Sequence, residues 1–448
     1  MGARAGWAEA EITPPLGLPM GGRGPRFTPG ARVLDPLMAQ ALVLEDGAGH
    51  RQVWVSLDLI GLDYARSAAV RHDVAALSGA DYEAVVLNFA HVHSGPMSGF
   101  DKYPTLVPEP PLLRGYLDVL RLTVRRVVAT ALRRMQPVEV HCHRGVSHLG
   151  INRRRRNAQG DMVMAPNPEG HYNPDLWVLE LQGTGTGAAQ PGGERAVVFS
   201  YGCHPVIVYG FAWDGISADY PGATRKALGA QLGRDVHCQF MQGLAGNVRP
   251  RVLADLETGT FRKATPADLD QAAGELASDV LTALGDAGET LDLALAAAAG
   301  WAHAARDLDR VPPVVHWQAL AERDDELSRN VGGYWARRLT SGLPLARSLP
   351  LEIGVLQIAT SHRVAWIAAE AVAEWLGLLR TRLSDPRLTV WGYSQQVSTY
   401  LPTDALLQEG GYEVLDANWY DEGGPGPFAS GIDATVGAGF SALMRPLV

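Results

Sequence analysis

Cysteine is scarce, positive charge is outnumbered, and no long apolar run occurs. The 448 residues contain three cysteines, Cys142, Cys203 and Cys238, which excludes a disulfide framework and a paired Cys-x-x-Cys zinc site. Few unpaired cysteines suit a reducing compartment, so a cytoplasmic protein is expected. The segment from Met1 to Trp7 runs into Glu9 and Glu11 before any apolar core of a signal peptide can form. The alanine-rich piece from Leu293 to Ala299 is far shorter than a membrane span, and no membrane partner is expected. Lys and Arg together number 39 against 48 Asp and Glu, a formal net charge of -9. That balance argues against a nucleic acid held through its phosphates. The run Arg153 to Arg156 reads as a local, solvated patch.

Hydrophobic residues make up 46% of the chain and charged residues 19%, enough for a sizeable core and no sign of general disorder. Length leaves open two or three domains or one large multilayer domain. Ile12 to Gly24, rich in proline and glycine, reads as irregular. Strands are expected at Gln52 to Leu59, Tyr82 to Ala90, Val138 to His143, Asp175 to Leu181, Ala196 to Val208, Val236 to Gln242, Leu351 to Thr360, Arg363 to Ala368 and Thr389 to Tyr400. Helices are expected at Tyr64 to Leu77, Leu112 to Arg134, Pro221 to Leu232, Thr265 to Leu284 and Ala369 to Leu383. Asn152 to Tyr172 reads as an irregular excursion, Thr184 to Glu194 as a loop, and Phe100 to Pro111 as a proline-rich flank of the site. Helix Tyr64 to Leu77 between two strands predicts a βαβ unit, which presents its ligands at the carboxyl ends of its strands.

One such end carries His91-Val92-His93-Ser94-Gly95-Pro96. Alternate strand residues share a face, so His91 and His93 would be presented together where the turn begins. That pair suits a metal or acid/base chemistry, and it equally suits two hydrogen-bonded loop histidines.

Several further pieces fall in order along the chain: Glu11-Ile12-Thr13-Pro14-Pro15, Gly150-Ile151-Asn152-Arg153, Cys203-His204-Pro205, Gly246-Asn247-Val248-Arg249-Pro250 and Tyr400-Leu401-Pro402-Thr403. With His91 to Pro96 they resemble the neutral (non-lysosomal) ceramidases and their bacterial relatives. The resemblance implies an α/β fold, a large multilayer domain with mixed β-sheets flanked by helices, formed as one catalytic domain over 1-448 without the C-terminal Ig-like domain of ceramidases. It also implies a zinc-dependent amide hydrolase acting on a small-molecule substrate. Carried over, the Zn2+ ligands are His91, His204, Glu370 and Tyr400, a donor set that suits zinc and leaves a position for water. His93 would be the acid/base beside that water, and Arg153 and Tyr412 the remaining catalytic groups.

The chain departs from ceramidases at Arg249, where they carry a serine. That departure speaks against ceramide itself and makes Arg249, with Asn247, a substrate-binding candidate, since guanidinium geometry suits a carboxylate or phosphate. Other readings stay open. Glu374 is an alternative to Glu370, whose carboxylate would also suit the first turn of a helix. Tyr393 is an alternative to Tyr400, and His141, His143 and His148 form a competing histidine group. Asp58 and Asp219 are either partners of ligating histidines or caps. Two other functions compete with zinc amide hydrolysis: a metallophosphoesterase, and a catalytically inactive ligand-binding relative.

Overall fold

The computed structural model describes residues 2–22, 26–99, 109–184, 194–233, 235–420 and 424–445. The expectations for Phe100 to Pro111 and Thr184 to Glu194 therefore lie largely outside the described residues.

A nine-stranded mixed sheet runs in the order His237–Gln242, Arg195–Tyr201, Asp175–Gly183, Gln136–Val146, Arg4–Glu11, Met38–Glu45, Arg51–Leu57, Val85–Phe89, with Glu289–Thr290 also paired to Gln136–Val146. Two neighbouring pairs are parallel, His237–Gln242 with Arg195–Tyr201 and Arg51–Leu57 with Val85–Phe89. The second is the expected βαβ unit, crossed by the helix Tyr64–Ser78. A four-stranded sheet of Ala296–Ala305, Ser348–Ala359, His362–Ile367 and Thr389–Trp391 lies against the large one.

The period-2 alternation of side chains builds the layers. Ala39, Ala41 and Val43 point to one face of the large sheet and pack under Tyr64–Ser78 and Pro111–Arg133. Leu42 and Leu44 point to the other, with Trp54, Trp177, Trp366 and Trp391, and meet the four-stranded sheet. Helices Asp219–Leu232 and Pro266–Gly285 cover the remainder of the large sheet, and Trp375–Leu383 and Ile432–Met444 cover the small one. The result is an order of helix, sheet, sheet, helix.

The two edge strands of the large sheet are brought together by side chains. Gln242 N donates to Asn88 Oδ1 (2.7 Å), and Asn88 Nδ2 donates to Gln242 O (3.2 Å) and Gly392 O (2.9 Å). Gln40 and Ser56 donate to Cys238 O and Phe240 O in the same way. Backbone groups that an edge would leave open are thereby satisfied.

Three expectations are corrected here. Asn152 to Tyr172 is no excursion: Gly150–Arg156 and Met162–Asn167 pair as antiparallel strands. Its arginines hid the pattern, because Arg153 and Arg154 are buried and neutralised while Arg155 and Arg156 stay in water. The helix expected from Ala369 begins only at Trp375, since Glu370–Ala371 forms a short parallel pair with Tyr400–Leu401. The strand expected over Thr389 to Tyr400 breaks after Trp391, where Tyr393 and Gln395 take left-handed backbone. The helices Val314–Ala321 and Glu326–Thr340 and the alanine-rich strand Ala296–Ala305 lay outside the sequence expectations.

Candidate metal centre

The carboxyl ends of the strands Val85–Phe89, Arg195–Tyr201 and His237–Gln242, and of His362–Ile367 in the second sheet, converge. Gln242 Nε2 ties the first two, donating to Ala90 O and Cys203 O at 3.0 Å each. His91 and His93 follow the first strand and His204 the second, all buried, with one nitrogen of each within 4.8 Å of the others. This buried three-histidine group is capable of holding a metal ion.

His91 and His93 meet for another reason than strand alternation. The strand ends at Phe89, and His91 takes φ 62°, a left-handed conformation rare outside glycine. A turn, not a pleat, brings the two rings to 5.0 Å.

Backbone carbonyls set the imidazoles. His91 Nδ1 lies 2.8 Å from Ile60 O and His204 Nδ1 2.6 Å from Ala245 O. A carbonyl only accepts, so both Nδ1 atoms carry a proton and Nε2 is the ring atom that each histidine turns toward the centre. Those Nε2 atoms lie 3.2 Å (His91) and 3.5 Å (His204) from Glu370 Oε2. Tyr400 Oη is 3.2 Å from His204 Nε2. Burial, and then the Arg153 charge, push the His204 imidazole down to about 4, so it is neutral near pH 7. Two imidazole nitrogens, a carboxylate and a phenol turned to one point form a donor set that fits a divalent metal.

Glu370 owes its place to Gly246. A Cβ on that glycine would sit 2.7 Å from Glu370 O and 2.9 Å from Ala371 O. Asn247 fixes the same junction: its Oδ1 accepts from Ala373 N (2.9 Å), its Nδ2 donates to both Glu374 oxygens, and its carbonyl accepts from Arg153 N. Asn247 is fully buried and spent on these bonds, which corrects its assignment to substrate. Glu374, occupied by Asn247, is not the carboxylate beside the histidines. Tyr393 lays its ring 4.3 Å from that of His91, and its buried hydroxyl has no hydrogen-bond partner among the described residues.

Arg153 is clamped. Its Nε donates to Glu413 Oε1 (2.8 Å) and its Nη2 to Tyr400 Oη (3.1 Å), while Arg154 Nη1 donates to Glu413 Oε2 (2.6 Å). Glu413 was missed in the sequence; its only signal was its place beside Tyr412. Tyr412 sets its ring 5.5 Å from Tyr400.

Asp58 and Asp219 do not touch the imidazoles, whose Nδ1 partners are the carbonyls above. Asp58 accepts from both terminal guanidinium nitrogens of Arg225 and from the N–H of Met38. Asp219 accepts from Ile207, Val208 and Tyr220 N–H groups. They brace the loops on either side of the histidines. His141, His143 and His148 pair with Thr290, Glu180 and Tyr172, away from the centre.

The centre floors an open cleft whose lining adds Met164, Tyr209, Arg249 and Tyr420 to the residues above. Arg249 stacks its guanidinium 4.5 Å over the Phe261 ring. Tyr412 and Tyr420 also line a second cavity, formed with Leu327, Val331 and Trp419.

Fold and site together define a ceramidase-like α/β protein with a buried histidine group able to hold a metal. The solved structures it is similar to include the neutral ceramidase from Pseudomonas aeruginosa, at TM-score 0.71 and 18% identity over 100% of this chain and 74% of that one. A ceramidase complexed with C2 is similar at TM-score 0.72 and 18% identity, over 100% of this chain and 75% of that one. At that identity the likeness is one of fold. No protein-family model and no curated protein sequence matches the chain.

Proposed function

We propose that the chain is a zinc-dependent hydrolase that cleaves an amide (N-acyl) bond of a soluble small molecule, with water as nucleophile. The observation that carries the reading is the convergence of four donor atoms, His91 Nε2 and His204 Nε2 at 3.2 and 3.5 Å from Glu370 Oε2, and Tyr400 Oη at 3.2 Å from His204 Nε2. The fold likeness to ceramidases, named for an amide hydrolysis, supports it. These four side chains would hold the metal. A bound zinc ion supplies Lewis acidity, acidifying water toward neutrality and polarising a carbonyl.

The chain's own groups do the rest. Ile60 O and Ala245 O hold the two rings by Nδ1 and keep their Nε2 atoms aimed at the centre. His93, its ring 5.0 Å from that of His91 and 5.6 Å from that of His204, takes the proton from the attacking water and returns it to the departing amine. Arg153 and Tyr412 supply positive charge and a hydroxyl to the oxygen that gains charge as the carbonyl is attacked. The 448 residues act as one catalytic domain. Three free, buried cysteines agree with a cytoplasmic setting, and no helix among the described residues is long and apolar enough to cross a membrane.

The test is to purify the chain without chelator, count metal per chain by mass spectrometry, and offer a panel of N-acyl compounds and phosphoesters. Bound zinc, cleavage of an amide, and loss of both in His91→Ala are expected. Full amide cleavage by metal-free protein, or by His91→Ala, refutes the reading; phosphoester cleavage alone would favour the metallophosphoesterase.

A further inference from the structure

Resting on the zinc-hydrolase reading, we infer that Tyr393 is a positioning residue of the metal centre, its buried hydroxyl donating to the Glu370 carboxylate when a metal is held and fixing that ligand without coordinating the ion itself.

Tyr393 sits where the two delivering segments meet. Its N–H donates to Ala369 O (3.0 Å), next to Glu370, and its carbonyl accepts from Phe89 N (2.9 Å), just before His91. Its neighbours repeat the pattern, Ser394 N donating to Ile367 O and Gln395 N to Leu87 O, while Asn88 Nδ2 donates to Gly392 O and Ser394 Oγ. One short turn thus clamps the end of Val85–Phe89 to the junction that presents Glu370. Within it Tyr393 takes φ 50° and Gln395 φ 59°, a region that suits glycine and that a bulky aromatic residue rarely enters. Strain of this kind persists only where the surroundings impose it, and it collects at functional sites.

That backbone lays the phenol against the ligands. Its ring lies 4.3 Å from the His91 ring and 6.0 Å from the His204 ring. The side chain is fully buried, and its hydroxyl has no partner among the described residues, although a buried tyrosine O–H usually finds one. A phenylalanine would fill the same space without stranding a hydroxyl. Burial, then the charge of Glu370, push the phenol well above its ordinary range, so it stays a donor at neutral pH. Among the atoms of the centre, few can accept from it. The Nδ1 atoms of His91 and His204 are held by carbonyls, and their Nε2 atoms are the proposed ligand atoms. Tyr400 Oη is engaged by Arg153 and His204. A carboxylate brings two oxygens with about four lone-pair sites, enough to take a further donor beside a metal. Glu370 is therefore the acceptor, and a ligating carboxylate held this way keeps its orientation.

The experiment uses the full chain and Tyr393→Phe, which removes the oxygen and keeps the ring. Metal-free Tyr393→Phe should melt at the same temperature as the unchanged chain or higher, because it deletes a hydroxyl that has no partner. Its zinc affinity, titrated against a competing chelator, should nonetheless fall ~10-fold or more, the scale for losing a group that orients a ligand. With cobalt as the probe, the saturated variant should keep the d–d spectrum of the unchanged chain, since no coordinating atom is lost. Unchanged zinc affinity, a lower melting temperature of the metal-free variant, or a changed cobalt spectrum overturns the inference; the last would make Tyr393 a ligand in its own right. If these binding results stand but the unchanged chain cleaves no amide, the hydrolase reading fails alone. If amides are cleaved and Tyr393→Phe binds zinc as tightly as the unchanged chain, the positioning role fails alone. A chain that binds no zinc defeats both.

Discussion

Replacing Glu413 removes the one carboxylate that holds two buried arginines. Arg153 and Arg154 are each about 5% exposed in their side chains and Glu413 3%, with contacts of 2.8 and 2.6 Å. Arg154 keeps Glu409 and Gly410 O as partners, but Arg153 is left with Tyr400. Breaking a buried ion pair from one side costs about 3–5 kcal/mol, because a charge remains without its counterpart. Unfolding entropy of about 2.1 cal/mol/K per residue gives about 0.9 kcal/mol/K for a chain of 448 residues. Glu413→Ala should therefore lower Tm by roughly 3–5 °C, read by calorimetry at pH 7. The double variant Glu413→Ala with Arg153→Met should recover part of that loss, since it removes the stranded charge. Arg153 should also lose its aim at Tyr400, so kcat should fall while KM for a short N-acyl substrate changes less. An unchanged Tm in Glu413→Ala, or a double variant less stable than the single by the full cost of Arg153→Met alone, would refute the argument.

Three further outcomes are expected. Gly246→Ala sets a methyl 2.7 Å from Glu370 O, so it should cost about 1–3 kcal/mol of stability and lower metal content, whereas Gly229→Ala, with open space around it, should do neither. In Pro266–Gly285, Thr265 and Asp268 form a reciprocal cap; Thr265→Ala should cost about 1 kcal/mol in urea unfolding, and no loss would mean the cap is idle. Two groups oppose each other in the pH dependence of the metal-free protein. His204 sits at about 4 in the fold, so its contribution is complete above about 6.5 and is lost as pH falls toward 4. Burial raises the Asp219 carboxyl to about 6, so its contribution is complete below about 3.9 and is lost as pH rises through 6. The slopes cancel in part between pH 4 and 6; Asp219→Asn should unmask stability rising with pH by about 3 kcal/mol across that window, and a flat profile in that variant would refute the assignment.

The sequence itself determined the elements whose stability is local. The helices Tyr64–Ser78, Pro111–Arg133 and Pro266–Gly285 and the hairpin Ser348–Ala359 with His362–Ile367 were legible from periodicity and caps, because those signals are short-range. The βαβ unit, and the strand that delivers His91 and His93, were legible for the same reason. Glu370 and Tyr400 entered through motif order, and their meeting across a short parallel pair follows from nothing within either segment. Only tertiary structure decided which polar residues are buried. Arg153 and Arg154 looked solvated until Glu413, some 260 residues away, was placed between them. Asn247 looked like a substrate contact and is a clamp. Asp58 and Asp219 read as either partners of the histidines or caps; two backbone carbonyls hold the partner positions, and a carbonyl leaves no mark on the sequence because every residue carries one. Local order is written in side-chain pattern; the proton on each histidine nitrogen is set by whichever backbone the fold brings to it.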